Sequence, residues 1–239
     1  MLRIQSLNHN QSIINRKISE AAAGLDILQK GLQIFLICFL VLIYPLYRIL
    51  PLWVGWENNI LENAQVVILL LGFLVALYFA SMNRNMVETK LWIAMSPFWL
   101  VLCGRELNWG RVFLVPIEVN KAHGFVFPPL KALWYSPVIY PLIFLCLTFG
   151  FYLFFKNRCY RILLQLGREK RFPVPELLIA ILAMMLFQMA ESDHFLLLGV
   201  RNELMEELLE LLFYASLFII QLDIFFRIRF QHARYPLGQ

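Results

Sequence analysis

The sequence predicts an all-α polytopic membrane protein. The expected fold is a bundle of about six transmembrane helices, both termini cytoplasmic, with an N-terminal amphipathic helix at the interface. Three observations predict it. Of 239 residues, 60% are hydrophobic and only 15% charged, against about 45–50% and about 25% in a soluble domain. The apolar residues come in continuous runs, not in the alternation of a membrane β-strand. The basic residues divide unevenly between successive loops, as they do when a chain is threaded across a bilayer. A soluble enzyme or a disordered chain does not have this composition. The net charge of +5 then reads as basic loops on one membrane face, and no nucleic-acid partner is expected.

A hydrocarbon core about 30 Å thick needs about 20 apolar residues as helix. Six runs meet that requirement, at 32–50, 60–81, 91–107, 134–155, 175–190 and 207–226. Pro97 predicts a kink in the third, and Pro137 and Pro141 fall in the first turns of the fourth. The domain reading is an amphipathic segment at 1–30, the bundle at 31–226 and a short basic tail at 227–239. In the first segment Ile14, Ile18, Ala21, Leu25 and Leu28 recur at helical spacing, while Arg16, Lys17 and Lys30 can face anionic lipid. Trp53, Trp56, Trp92, Trp99, Trp109 and Trp134 lie near expected span ends, as an aromatic belt does. The cysteines Cys38, Cys103, Cys146 and Cys159 have neither redox nor metal-ligand spacing.

With the N-terminus cytoplasmic, 15 of the 21 basic residues fall on the cytoplasmic side and six on the outer side. Five or seven spans would put the basic 156–171 loop on the same side as the acidic 191–206 loop. The carboxylates show the opposite bias. Ten of the 16 lie at the outer ends of the spans, although acidic residues contribute little to insertion topology.

Glu203, Glu206, Glu207 and Glu210 stand at offsets 0, 3, 4 and 7, which places them on one helical face. Glu210 falls about one turn inside the expected membrane boundary, where an ionisable side chain is a functional candidate. Three other spans bring partners to the same level. The second opens with Trp56, Glu57, Asn58, Asn59, Glu62 and Gln65, and the last two share a face. The third ends in Arg105, Glu106 and Arg111. The fifth ends in Gln188 and Glu191, followed by Asp193 and His194. The expected site is therefore an acidic polar pocket at the outer interface, walled by spans two, three, five and six. Its candidate residues are Glu62, Arg105, Glu106, Arg111, Glu191, His194, Glu206, Glu207 and Glu210. Each also has a structural reading, as a helix cap, a dipole partner or an internal ion pair. The segment 104–133 carries two apolar, proline-bounded stretches and reads either as a lid or re-entrant piece over this pocket, or as a loop lying on the headgroups.

The run Arg105-Glu106-Leu107-Asn108-Trp109-Gly110-Arg111 at the end of a span resembles a signature of uncharacterised bacterial multi-span membrane proteins, approximately Glu-Glu-x-Ser-Trp-Gly-Gln-Arg. Trp56-Glu57 with Glu62, and Glu206-Glu207 with Glu210, are similar to two further acidic stretches of those proteins. Arg105 stands where the first Glu would be, Asn108 replaces Ser, and Arg111 follows Gly110 directly. The resemblance implies a bacterial cytoplasmic membrane and the location of a site, and it brings no known activity.

Three functions remain open on sequence. The first is binding or passage of a cation or small polar solute, with Glu62, Glu106, Glu191 and Glu210 as ligands or proton carriers; a homodimer is then expected, because six spans are few for a transporter. The second is an enzyme acting on a lipid or lipid-linked headgroup, by paired carboxylates or with a divalent cation held by His123 or His194 and several Glu. Oxygen-rich ligands favour magnesium, manganese or calcium. The third is an assembly subunit whose acidic stripe faces outward to a basic membrane-protein partner. Membrane lipids are partners in every case.

Overall fold

The computed structural model describes residues 2–82, 86–120, 124–191 and 201–234, and side chains for all of these except 2–23, 25, 120 and 230–234. Among the described residues, seven α-helices carry the chain: α1 (Leu2–Ile49), α2 (Ile60–Met82), α3 (Met86–Glu106), α4 (Ser136–Lys156), α5 (Tyr160–Arg168), α6 (Val174–Glu191) and α7 (Asn202–Arg234). Six of them, all but α5, are long and apolar enough to cross a membrane. The six expected spans match these helices to within a few residues at most ends. α3 and α7 begin five residues earlier than expected, because Met86–Lys90 and Asn202–Glu206 continue the helix as polar first turns.

Two expected boundaries are not breaks. α1 runs without interruption from Leu2 to Ile49, so the 1–30 segment and the first span form one helix. No proline separates them, and lone glycines at Gly24 and Gly31 cost only about 1 kcal/mol each. The helix ends where Pro51 stops it. Likewise α7 continues to Arg234, past the expected tail boundary at 227. α5 was not expected as a helix, since its basic residues read as loop. Ile162, Leu163 and Leu166 give it an apolar stripe that packs under α3 and α7, with Leu166 fully buried.

α7 is the centre of the bundle. It packs on α1, α2 and α6, while α3 packs on α2 and α4 on α3. Of the apolar window of α7, 67% is buried, against 11% for α4, so α4 presents most of its surface to lipid. One core lies between α1, α6 and α7 around Leu36, Ile43, Leu208 and Leu212. A second closes the opposite end from the acidic stripe, where Phe79 stacks on Phe225 at 3.5 Å with Trp92 edge-on to both. Between α2, α3 and α7, a β-carbon at Gly72 would fall 2.5 Å from the Trp99 ring, so glycine permits that contact. Trp99 Nε1 donates to Gln221 Oε1 at 2.5 Å, and Gln221 Nε2 donates to the Gly72 carbonyl at 3.0 Å. That side-chain lock joins three helices at membrane depth, where an unpaired polar group is costly.

The cysteines divide by exposure. Cys38 is exposed, whereas Cys159, at the turn between α4 and α5, is fully buried. Burial pushes the Cys159 thiol above its ordinary value, which depletes the reactive thiolate at neutral pH. Maleimide labelling at pH 7.5–8 is therefore expected to spare Cys159 in the folded protein and to reach it after unfolding. Mass mapping of the labelled peptides checks it.

Candidate functional site

The acidic end of the bundle is built by four chain segments. At the start of α2, Asn59 Oδ1 accepts the Ile60 N–H at 2.8 Å, and the Glu62 carboxylate reaches back to the Asn58 N–H. This resembles a capping box, in which a third-position Glu satisfies an orphan donor at the helix start. At the end of α3, Asn108, Trp109 and Gly110 all have positive φ, at 44°, 55° and 89°. Left-handed backbone costs roughly 1–2 kcal/mol at a non-glycine residue, so this reversal is held by its surroundings. The holding contact is Trp109 on Gly104, where an added β-carbon would meet the ring at 2.5 Å. The Asn-Trp-Gly sequence thus turns the chain back and sends Arg105 and Arg111 to the same side. Replacing Gly104 with valine is expected to displace Trp109, costing about 1–3 kcal/mol by overpacking. A lowered thermal midpoint in detergent is the readout.

The third segment is the loop between α3 and α4. A short antiparallel hairpin, β1 (Glu118–Asn120) with β2 (Gly124–Val126), pairs Glu118 with Val126. Gly124 sits against Trp56, 2.7 Å from a would-be β-carbon. This seats Phe125, Val126 and Phe127 at the cavity rim. The fourth segment is the first two turns of α7, with the acidic stripe, beside Glu191 at the end of α6.

Together they enclose a cavity of about 520 Å³. Its carboxylates are Glu57, Glu62, Glu106, Glu191, Glu203, Glu206, Glu207 and Glu210, eight in all, against two guanidiniums, Arg105 and Arg111. Of the nine candidate residues, eight line this one space. His194 lies outside the described residues, as does His123. Glu210 is 3% exposed and the stripe faces the cavity. An outward-facing stripe is what the assembly-subunit reading needs. Sequence reasoning had left Glu57, Glu203 and Tyr214 off the candidate set.

The contacts are specific. Arg105 Nη2 donates to Glu210 Oε1 at 2.6 Å, and Nη1 donates to the Tyr214 hydroxyl at 3.0 Å. Tyr214, fully buried, donates in turn to Glu106 Oε1 at 2.6 Å. The Arg105 guanidinium also lies over the Phe187 ring. Arg111 pairs with Glu57, which also accepts from Asn108 Nδ2 at 2.7 Å. Gln65 Nε2 donates to Glu207 Oε2 at 2.8 Å. The two arginines are thus counter-ions, Arg105 to the stripe and Arg111 to the α1–α2 connection. Glu206 makes no hydrogen bond or ion pair among the described residues. Three buried polar atoms around the cavity also lack a hydrogen-bond partner among the described residues: Trp56 Nε1, Gln65 Oε1 and Arg111 Nε.

The chemistry available is limited by residue type. Among the described residues, the cavity wall holds no serine, threonine, cysteine, histidine or lysine. No group of three or more His, Cys, Asp or Glu among them has metal-site geometry. The divalent cation that the enzyme reading left open finds no converging ligand set among the described residues, where the carboxylates are drawn to different partners: Glu210 to Arg105, Glu106 to Tyr214, Glu207 to Gln65 and Glu62 to a backbone N–H.

Fold and composition define an integral membrane protein, with six helices among the described residues long and apolar enough to cross a membrane. Comparison of the chain with protein-family models, with curated proteins and with solved structures gives no match.

Proposed function

We propose that this protein binds a small cationic solute in the acidic cavity, as the entry site for its passage across the membrane. One observation carries the reading: eight carboxylates and two guanidiniums share about 520 Å³, a formal charge of −6 with all groups ionised. Unit charges 4 Å apart repel by about 4 kcal/mol at an effective dielectric of about 20. A bound cation, or protons, relieve that repulsion. Glu206, with no partner of its own, is the natural ligand. The volume lies within the roughly 300–1,000 Å³ of small-molecule sites, and Phe125 and Phe127 add aromatic faces that attract an organic ammonium. The donor geometry favours such a soft-shelled cation, or protons, over a desolvated divalent metal.

On this reading the paired strands β1 and β2 are the lid. The basic-residue bias supports a cytoplasmic N- and C-terminus, which opens the cavity to the outer face of a bacterial cytoplasmic membrane. A homodimer is the proposed transporting unit. The resemblance of Arg105–Arg111 to the signature of bacterial multi-span proteins rests on a turn whose task here is to orient two arginines.

The test is a melting series on purified protein with choline, putrescine, sodium and calcium at constant ionic strength. A ligand at a hundred times its Kd stabilises by about 2.7 kcal/mol. At least one cation should raise the midpoint of wild type and fail to raise that of Glu206→Gln. Equal shifts in both, or none in wild type, contradict the proposal.

A further inference from the structure

We propose that a cleft between α1, α2 and α7 is a seat for one membrane lipid, independent of the acidic cavity. The cleft encloses about 1060 Å³, twice the volume of the polar site. Its floor is Ala215 and Ile219 of α7, its walls Phe35 and Phe39 of α1 and Ala64 and Val67 of α2. It exists because α1 packs on α7 and α6 rather than on α2.

Polar clamps hold α1 in that position at both ends. At one end Gln29 Nε2 donates to Asp223, and Gln33 Nε2 to Glu176 Oε1 at 2.8 Å. At the other, Arg201 Nη1 donates to the Tyr47 and Leu50 carbonyls at 2.7 and 3.2 Å, capping α1. The gap is therefore a constructed feature between fixed helices, open sideways to hydrocarbon.

Its length and polarity select the occupant. On α1 the lining runs from Leu32 to Leu42, ten residue steps or about 15 Å of helix. That is half of a hydrocarbon core about 30 Å thick, the depth of one leaflet. A spanning helix from a second copy would need the full thickness. Polarity appears at one end only, at Asn58, Asn59 and Asn63. Asn59 Oδ1 accepts the Ile60 N–H at 2.8 Å, which leaves the Asn59 amide N–H groups to donate to a phosphate or ester oxygen. An acyl tail along the apolar walls with its headgroup junction at these asparagines matches both features. Packing and the asparagine hydrogen bonds supply the affinity, since lipid tails are as apolar as leucine and no hydrophobic gain arises.

The experiment is native mass spectrometry, with lipid extraction, of full-length protein purified from membranes in mild detergent. Wild type should retain one phospholipid per chain. Val67→Trp at the exposed rim and Ala215→Phe on the floor overpack the occupied cleft, so retained lipid should fall about fivefold or more. Leu145→Trp, on the exposed face of α4, should retain it. Because Val67 is 56% exposed, its variant is expected to fold even where Ala215→Phe does not. Equal lipid in all four proteins overturns the proposal, as does a wild type that carries none. A dimer that the cleft variants dissociate, with no change in lipid, overturns it in favour of a second copy.

Discussion

Replacing Arg105 with methionine lowers stability by about 2–3 kcal/mol, the lower part of the range for removing one partner of a buried charge pair. The lower part applies because Arg105 is 43% exposed toward the cavity while its partner Glu210 is 4% exposed. The loss has a local cause. Glu210 keeps no cation, Tyr214 loses the donor to its hydroxyl, and Glu106 depends on Tyr214 for its own hydrogen bond. Thermal or chemical unfolding in detergent measures it. The double variant Arg105→Met with Glu210→Gln should be less destabilised than the two single changes added together, by about 1–2 kcal/mol. Strict additivity would mean that the pair is ornamental and that the turn at 108–110 holds this end of the bundle without it.

Neutralising Glu106 and Glu210 together to glutamine weakens cation binding by about a hundredfold. Charges 4–8 Å from a bound cation each contribute about 2–4 kcal/mol at an effective dielectric near 20, part of which is screened by cavity water. Equilibrium binding to purified protein reads this directly, and flux into proteoliposomes reads its consequence for passage. Glutamine keeps the acceptor oxygens for Tyr214 and Arg105, so loss of binding in a variant that still melts cooperatively isolates charge. Unchanged binding and flux in that variant contradict the transport reading.

Much of this arrangement was legible before any coordinates, because charge is scarce in the chain. Glu206, Glu207 and Glu210 share a helical face by spacing alone, and Glu62 with Gln65 does so on α2; the cavity is where those faces meet. Tyr214 escaped notice because a tyrosine in an apolar run has the ordinary signature of core. Its clue was position: Glu203, Glu207, Glu210 and Tyr214 continue one seam at offsets of four, three and four. Glu57 was legible as an outer acid but not as the partner of Arg111, since that pairing depends on three left-handed residues which local propensity disfavours. The continuous α1 was missed because amphipathicity and hydrophobicity change near residue 30 while nothing in the backbone chemistry ends the helix there. The lipid cleft was invisible to sequence for another reason. It is a place where α1 and α2 leave a gap, and a gap has no residue signature.

The most direct measurement is carbodiimide modification of Glu206, mapped by mass spectrometry, with the four cations of the melting series and with the uncharged carbon isostere of choline. The account predicts that Glu206 is modified in the free protein, that at least one cation protects it, and that the isostere does not. Protection by none of the cations, or equal protection by the uncharged isostere, would contradict a cation-binding site in this cavity.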